Sequence, residues 1–386
     1  MDRVVILGGY ATSMTDFNPK YQFYELPYVS SRELLTELGI DRGELDFIIL
    51  AAYDHLDGRM ISNMYTSMAS GGYLKYESRV SEDSLYALAY AYMKIISGEA
   101  DVGLVTSYAT RETDMVYASN LVMDPLYYRN IAMNYLSGLA LQASAYLSIT
   151  KLQEYSDLIA SHIVSQQRKA AANNPRAHLK KPLEPSDVIS NEYIIWPLRD
   201  GMYPPATRGA VSIVIASEEY AKRIRTDPIV YIDSVSWCTD GYYLGNKLLY
   251  LIAPLMKASR KAYINGGIED PMDIDLFLIS DVTPFHYLMQ IEALGLSPPG
   301  RGARLLERGE IGPSNTRLRV NPDGGSLCTD PYPASGILKL YEAYLQLTDR
   351  AGPIQLSDVD KVLVHGFSYL SGASSQSHIV TVLSRW

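Results

Sequence analysis

Short, mainly apolar runs recur along the chain: Val4 to Leu7, Phe47 to Ala51, Val102 to Thr106, Val211 to Ala216, Ile229 to Ile232, Ile274 to Ile279 and Val362 to Val364. Runs this short, without polar alternation, belong to strands buried on both faces. Helical periods lie between many of them, so the alternation predicts an α/β protein with a parallel sheet covered on both sides. The pattern also echoes itself. LDFIIL (45–50), a helix from about Ser84 to Ser97 and the strand DVGLVTS (101–107) are matched by DLFLIS (275–280), a helix from about Ala334 to Leu347 and the strand KVLVHGF (361–367). Two halves of like topology follow from this echo. The stretch from about Arg111 to Pro205 interrupts the first half with helices and an irregular passage holding ANNP, KKP and YPP. It is too long for a simple connection, and long excursions are a common place for ligand contacts.

Composition narrows the classes. At 386 residues the chain is long for one core, and 47% hydrophobic with 20% charged residues is a globular balance. Apolar stretches such as Leu248 to Met256, interrupted by Pro254, fall well short of the roughly 20 residues that cross a bilayer. The opening MDRVVILGG enters a strand-like run directly, with nothing resembling a secretory leader, so a cytoplasmic location is expected. A net charge of -9 argues against nucleic acid as the main partner. Cys238 and Cys328 are too few for a disulfide framework or a four-ligand zinc site, and the six His form no HxxxH spacing, so no metal site is expected.

Three blocks, QQRKAAANNPRAHLKKP (166–182), RGAVSIVIASEEYAKRI (208–224) and IEALGLSPPGRGARLLERGEIG (291–312) running into VNPDGG (320–325), resemble thiolases, most closely the sterol-carrier-protein-type and archaeal members of that superfamily. The resemblance implies an α/β thiolase fold: two repeated βαβαβαββ halves, here 1–228 and 229–386, in αβαβα layers, with a loop domain over the coenzyme A site. It implies a homodimer or higher oligomer, no tightly bound cofactor, and coenzyme A or an acyl-CoA as the ligand.

Thiolases act through a Cys at the N-terminus of a buried helix, where helix dipole and backbone N–H groups favour the thiolate, and through a His that takes its proton. Counting back from SGEADV (97–102), that Cys falls on Ser81. With Glu82 and Asp83 beside it, Ser81 reads better as a helix N-cap than as a nucleophile, since adjacent carboxylates oppose an alkoxide. The other motifs are altered as well. The family's His-Asp block appears as SDVTPF (280–285), keeping Asp281 but with Ser280 in place of His. The Gly-His-Pro motif is replaced within SLCTDPYPASG (326–336), where the His position falls on Pro331 or, with a small gap, on Tyr332. VHGFSYLSGAS (364–374) matches a Gly-rich loop that begins with His-Asn in relatives; His365 persists and the Asn is Gly366. His365 reads either as an acid or base facing the pocket or as a hydrogen-bonded histidine of a strand edge. Cys328 reads best as a small buried hydrophobe. Arg168, Lys169, Lys180 and Lys181, with Arg176 and His178 among them, suit the coenzyme's phosphates or else form a solvated helix end.

The resemblance with these departures implies a thiolase-like protein of lipid metabolism that binds acyl-CoA without the Cys/His machinery, as the non-catalytic partner subunit of an intact thiolase. An alternative is a thiolase-fold aldolase, a lyase acting on a CoA thioester with tyrosine chemistry and a zinc-ribbon/OB-fold partner, since Tyr332 stands near one such tyrosine. A divergent active acyltransferase is the third reading.

Overall fold

The computed structural model describes residues 3–16, 21–224 and 230–385. Nine strands form one sheet: β1 (Val4–Ala11), β2 (Phe47–Ala51), β3 (Tyr76–Val80), β4 (Val102–Ala109), β5 (Gly209–Ser217), β6 (Val230–Thr239), β7 (Leu276–Leu278), β8 (Lys361–Ser368) and β9 (Ser377–Arg385). Their spatial order is β3-β2-β4-β5-β1-β6-β9-β8-β7. Each expected apolar run contributes to one of these strands, the run Ile274 to Ile279 only through Leu276–Leu278, and Ile229 and the expected boundary after residue 228 lie outside the described residues.

The echo seen in the sequence is carried into the topology. Outward from the β1–β6 junction the order is β1, β5, β4, β2, β3 on one side and β6, β9, β8, β7 on the other, where Phe277 of β7 makes a parallel bridge to Val320 in the place of a fifth strand. The junction is short and antiparallel, pairing Val4 with Ile232, Val5 with Tyr231 and Ile6 with Val230. The expected parallel sheet is corrected to a mixed one. β2 pairs in parallel with β3 and β4, and β7 with β8, but β5 and β9 return antiparallel beside β4 and β8. A strand covered on both faces is apolar throughout whichever way it runs, so the pattern carries no sign of direction.

Eight helices set the layers: α1 (Glu25–Leu38), α2 (Leu85–Ile96), α3 (Tyr135–Thr150), α4 (Ser156–Ala171), α5 (Ala253–Asn265), α6 (Pro284–Ala293), α7 (Gly302–Glu307) and α8 (Ser335–Leu347). α2 and α8 are the middle layer. Leu85, Leu88 and Ile95 of α2 and Ile337, Leu340 and Leu347 of α8 pack with Ile49, Val105 and Ile213 of one half and Leu278, Val362 and Ile379 of the other. α1 covers the outer face of the first half through Leu34 and Leu35 against Val5, Ile48 and Val214. α4, α5 and α6 cover that of the second through Ile163, Leu255 and Phe285 against Phe277, Leu363 and Val382. Full burial of such side chains stabilises by about 1.5–3 kcal/mol each, and this is what holds five layers in register. The excursion between β4 and β5 contains α3 and α4, and Gly138 of α3 presses so closely on residues 372–373 that a Cβ there would lie 2.6 Å from the Ala373 nitrogen.

Candidate functional site

The N-termini of α2 and α8 meet at one carboxylate. Asp83 Oδ1 accepts from Leu85 N at 3.0 Å, and its Oδ2 accepts from Gly336 N at 3.1 Å. Ser84 completes the joint, its Oγ accepting from Ile337 N at 2.9 Å and its own N donating to the Pro333 carbonyl at 3.0 Å. Room for the carboxylate comes from two glycines: a Cβ at Gly336 or Gly366 would lie 2.0 or 2.3 Å from Asp83 Oδ1. Burial, with Asp330 adding like charge, pushes the Asp83 carboxyl up to about 7, against the two N–H donors and Lys339.

Ser81 takes no part in this. It is exposed, and α2 begins at Leu85 behind the N-cap Ser84, so the expected N-cap at Ser81 is corrected to the Asp83–Ser84 pair. Ser-Glu-Asp-Ser offers several capping residues in a row, and burial, which brings Asp83 and Ser84 inside, decides among them.

Beside this joint lies a cluster of phenols. Tyr332 and Tyr369 are fully buried with ring centroids 4.5 Å apart. Tyr332 Oη donates to Tyr53 Oη at 3.0 Å, and the two rings stack at 5.6 Å. Tyr369 Oη donates to Asp330 Oδ2 in a short hydrogen bond, and Asp330 Oδ1 has no partner. Thr207 Oγ1 accepts from Asp330 N, and the Asp330 carbonyl accepts from Arg111 Nη2 at 3.1 Å. Burial raises the hydroxyls of Tyr53, Tyr332 and Tyr369 far above the ordinary phenol range, so they are protonated donors at neutral pH.

Asp281 stands apart from the phenols, although its neighbour Val282 packs among them. It is buried against the turn at Gly325, its Oδ1 accepting from Ser326 N at 2.6 Å and its Oδ2 without a partner. Burial, with Asp323 adding to it, lifts this carboxyl to about 7 as well. His365 lies within β8, fully buried. Its Nδ1 accepts from Ser280 N, and its Nε2 shares a hydrogen with His378 Nδ1 at 2.9 Å. His365, His378, Phe367 and His286 form a run of near-parallel rings, and desolvation drops both His365 and His286 to about 3. His365 is thus a hydrogen-bonded, neutral core histidine and a poor proton acceptor.

The basic stretch disperses. Arg176 grips buried Glu342 through Nε and Nη2, both at 2.6 Å; Lys169 pairs with Glu184 at 2.9 Å; Lys180 Nζ donates to the Pro175 carbonyl at 2.6 Å. Lys181 is exposed, and half-buried Arg168 has no partner at Nε. Glu342→Ala should leave the Arg176 charge stranded and destabilise the fold by about 3 kcal/mol. A thermal or urea unfolding curve matching the parent would contradict that. Cys328 is buried and its thiol is raised by desolvation, an inert environment. Among the described residues, no three His, Cys, Asp or Glu side chains are grouped to hold a metal ion, and no helix is long and apolar enough to cross a membrane.

Asp83, Tyr53, Tyr369 and Asp330 were not singled out as site residues by the sequence. The two glycines that admit Asp83 are its nearest sequence signal, and they identify themselves only once 83, 336 and 366 are known to touch.

A helix-paired nine-stranded sheet with its second half built like its first is a thiolase fold. A family profile described as "Thiolase C-terminal domain-like" matches residues 244–385. Sterol carrier protein 2 of Bos taurus is 28% identical over 52% of this chain and 38% of its own length. The 17-hydroxy-3-oxo-4-pregnene-20-carboxyl-CoA lyase of Mycobacterium tuberculosis is 30% identical over 42% of each chain. The chain thus spans half or less of the length of these curated relatives. Among solved structures, the Ltp2-ChsH2(DUF35) aldolase superposes with a TM-score of 0.80 at 21% identity, covering 98% of this chain and 97% of that one. A monomeric SCP2-thiolase-like protein type 1 from Mycobacterium smegmatis gives 0.74 at 16% identity, covering 99% and 77%. Residues 244–385 thus match the thiolase C-terminal domain, and the chain as a whole has the thiolase fold and is similar to proteins of the sterol carrier protein 2 type.

Proposed function

We propose that this chain binds a coenzyme A thioester but does not carry out Claisen chemistry, and that it serves as the non-catalytic partner subunit of an active thiolase. The observation behind this is Asp83. A thiolase uses helix N-terminal N–H groups to stabilise negative charge on a thiolate or thioester oxygen. Here those of α2 and α8 are already engaged by a buried carboxylate, so an incoming anion meets occupied donors and, when Asp83 is ionised, like charge. The nearby histidines are desolvated and neutral, which removes the base as well. Within this reading the two halves divide near residue 228, the Asp281–Tyr332–His365 region is the relic of the reaction centre, and Arg168 and Lys181, the least engaged cations of the excursion, meet the coenzyme's phosphates.

Calorimetric titration with coenzyme A and acetyl-CoA tests it. Heat that weakens as salt rises supports a retained ligand site, while no heat at millimolar ligand and low salt would leave only a scaffold. A native mass of the protein co-expressed with its genomic neighbours would show a thiolase partner or its absence.

A second reading, carbon–carbon lyase chemistry on a CoA thioester, is favoured by the Tyr53–Tyr332–Tyr369–Asp330 chain of hydroxyls and carboxylate. The lyase relative and the aldolase with its DUF35 partner lend it support. Release of a ketone from a 3-hydroxyacyl-CoA in the presence of a zinc-ribbon/OB-fold partner, lost in Tyr332→Phe, would establish it over the first.

A further inference from the structure

Far from the phenols, a groove of about 620 Å³ opens between the end of α3, the start of α4 and α7. The 16-residue helix α3 has Tyr135 at one end, its ring 6.0 Å from that of Tyr369, and Thr150 at the other, on the groove's wall. At 1.5 Å per residue the two places are about 22 Å apart along the helix. Nothing in the thioester-binding reading uses this groove.

Its floor is apolar, made by Leu152, Leu158, Ile159 and Leu306, and Leu158 is 51% exposed. At the rim are Arg301 and Arg304, against Glu307 as the single lining carboxylate. Among the described residues neither guanidinium takes part in an ion pair or a hydrogen bond, whereas the nearby Arg308 and Arg317 both pair with Glu310. Two unengaged arginines side by side are notable on a chain with a net charge of -9. The backbone that carries Arg301 is fixed from beneath: buried Glu292 accepts from Gly300 N and Gly302 N, each at 2.7 Å, and from Tyr146 Oη at 2.7 Å. The rim is therefore held in place while its charges remain open, and a pocket of this size with apolar walls and a few convergent polar groups has the make-up of a small-molecule site.

We propose that the groove binds an anionic amphiphile, an alkyl chain ending in a carboxylate, with the chain on Leu158 and its apolar neighbours and the head group forked by Arg301 and Arg304. An object charged at one end and apolar along its length matches cations confined to one rim of an apolar floor. Guanidinium forks bind carboxylates in two-point contacts.

The full chain is titrated with dodecanoate below its micelle concentration, and with dodecanol as the uncharged counterpart. Saturable dodecanoate binding is expected, at least tenfold tighter than dodecanol, weakened by salt, and weakened tenfold or more in the double variant R301Q/R304Q. Both substituted side chains are exposed, so an unchanged melting temperature shows that the variant is folded. Leu158→Asp, which charges the floor, should abolish uptake. Absence of binding, equal affinity for dodecanol, or full affinity in R301Q/R304Q overturns the proposal. So does a native mass that falls in R301Q/R304Q while the parent takes up no dodecanoate, since the groove would then belong to a second copy of this chain.

Discussion

Purified protein given acetoacetyl-CoA and coenzyme A is expected to show thiolysis at least about 10⁴-fold below that of an intact thiolase, and no condensation of acetyl-CoA. In the proposed reading nucleophile and base are both missing, and residues that act as a unit are not rescued by the survivors. The sharper form of the expectation is that Ser81→Cys restores nothing. Although Ser81 is the residue onto which the family's cysteine falls, it is exposed and lies ahead of α2, while the position between the helix N-termini is taken by Asp83. The thioester absorbance decides the matter: robust turnover by the parent, lost in Ser81→Ala, would refute both the non-catalytic reading and the capping role given to Asp83.

The second large effect is a pair of opposite pH dependences. Asp281 has its carboxyl raised from 3.8 to about 7 by burial, so the folded state holds a proton that the unfolded state releases in that window. Its cost to stability accrues as pH rises from about 4 to 7 and approaches ~4 kcal/mol above that range. Asp281→Asn removes the cost while keeping the oxygen that accepts from Ser326. The melting temperature of the variant relative to the parent should therefore be highest at pH 8 and fall steadily toward pH 5. His286 is displaced the other way, from 6.5 to about 3 by desolvation, so the unfolded state gains a proton that the folded state refuses as pH falls below 6.5. His286→Gln, neutral throughout, should gain on the parent by about 3 kcal/mol between pH 7 and pH 4. Parallel pH profiles for parent and variants would show that neither group is as isolated from water as its surroundings indicate.

The legible and illegible parts of this protein separate by range of interaction. Strands and their duplication were readable because an apolar run such as Phe47–Ala51 is a local fact, and so is its echo in Leu276–Leu278. The return direction of β5 and β9 was not, because full burial erases the alternation that marks orientation. Arg176 looked like part of a phosphate-binding stretch, and what claims it, Glu342, lies 166 residues away. The same holds for the phenols: Tyr53 and Tyr332 are 279 residues apart and neither has a neighbour that announces the other. His365 lay between two readings until its partners, Ser280 and His378, came from two other segments of the chain. The altered motifs, read through the thiolase resemblance, pointed to Ser81, two residues ahead of the carboxylate that the N-termini of α2 and α8 share.

The Asp83 joint also bears on how the chain acquires its structure. One carboxylate accepts from a donor on each of two helices, the farther donor 253 residues along the chain from it, and the middle layer consists of those two helices packed on each other's sheets. Neither half has a complete interior until the other arrives, and until then Asp83 lacks its second donor and the first turn of α8 lacks its acceptor. Assembly is thus obliged to close a very long loop before this buried polar contact can form, which places this chain among slow, highly cooperative folders. A growing polypeptide leaving the ribosome would carry a first half that can pair its own strands but keeps its inner face uncovered until Ser335–Leu347 of α8 emerges.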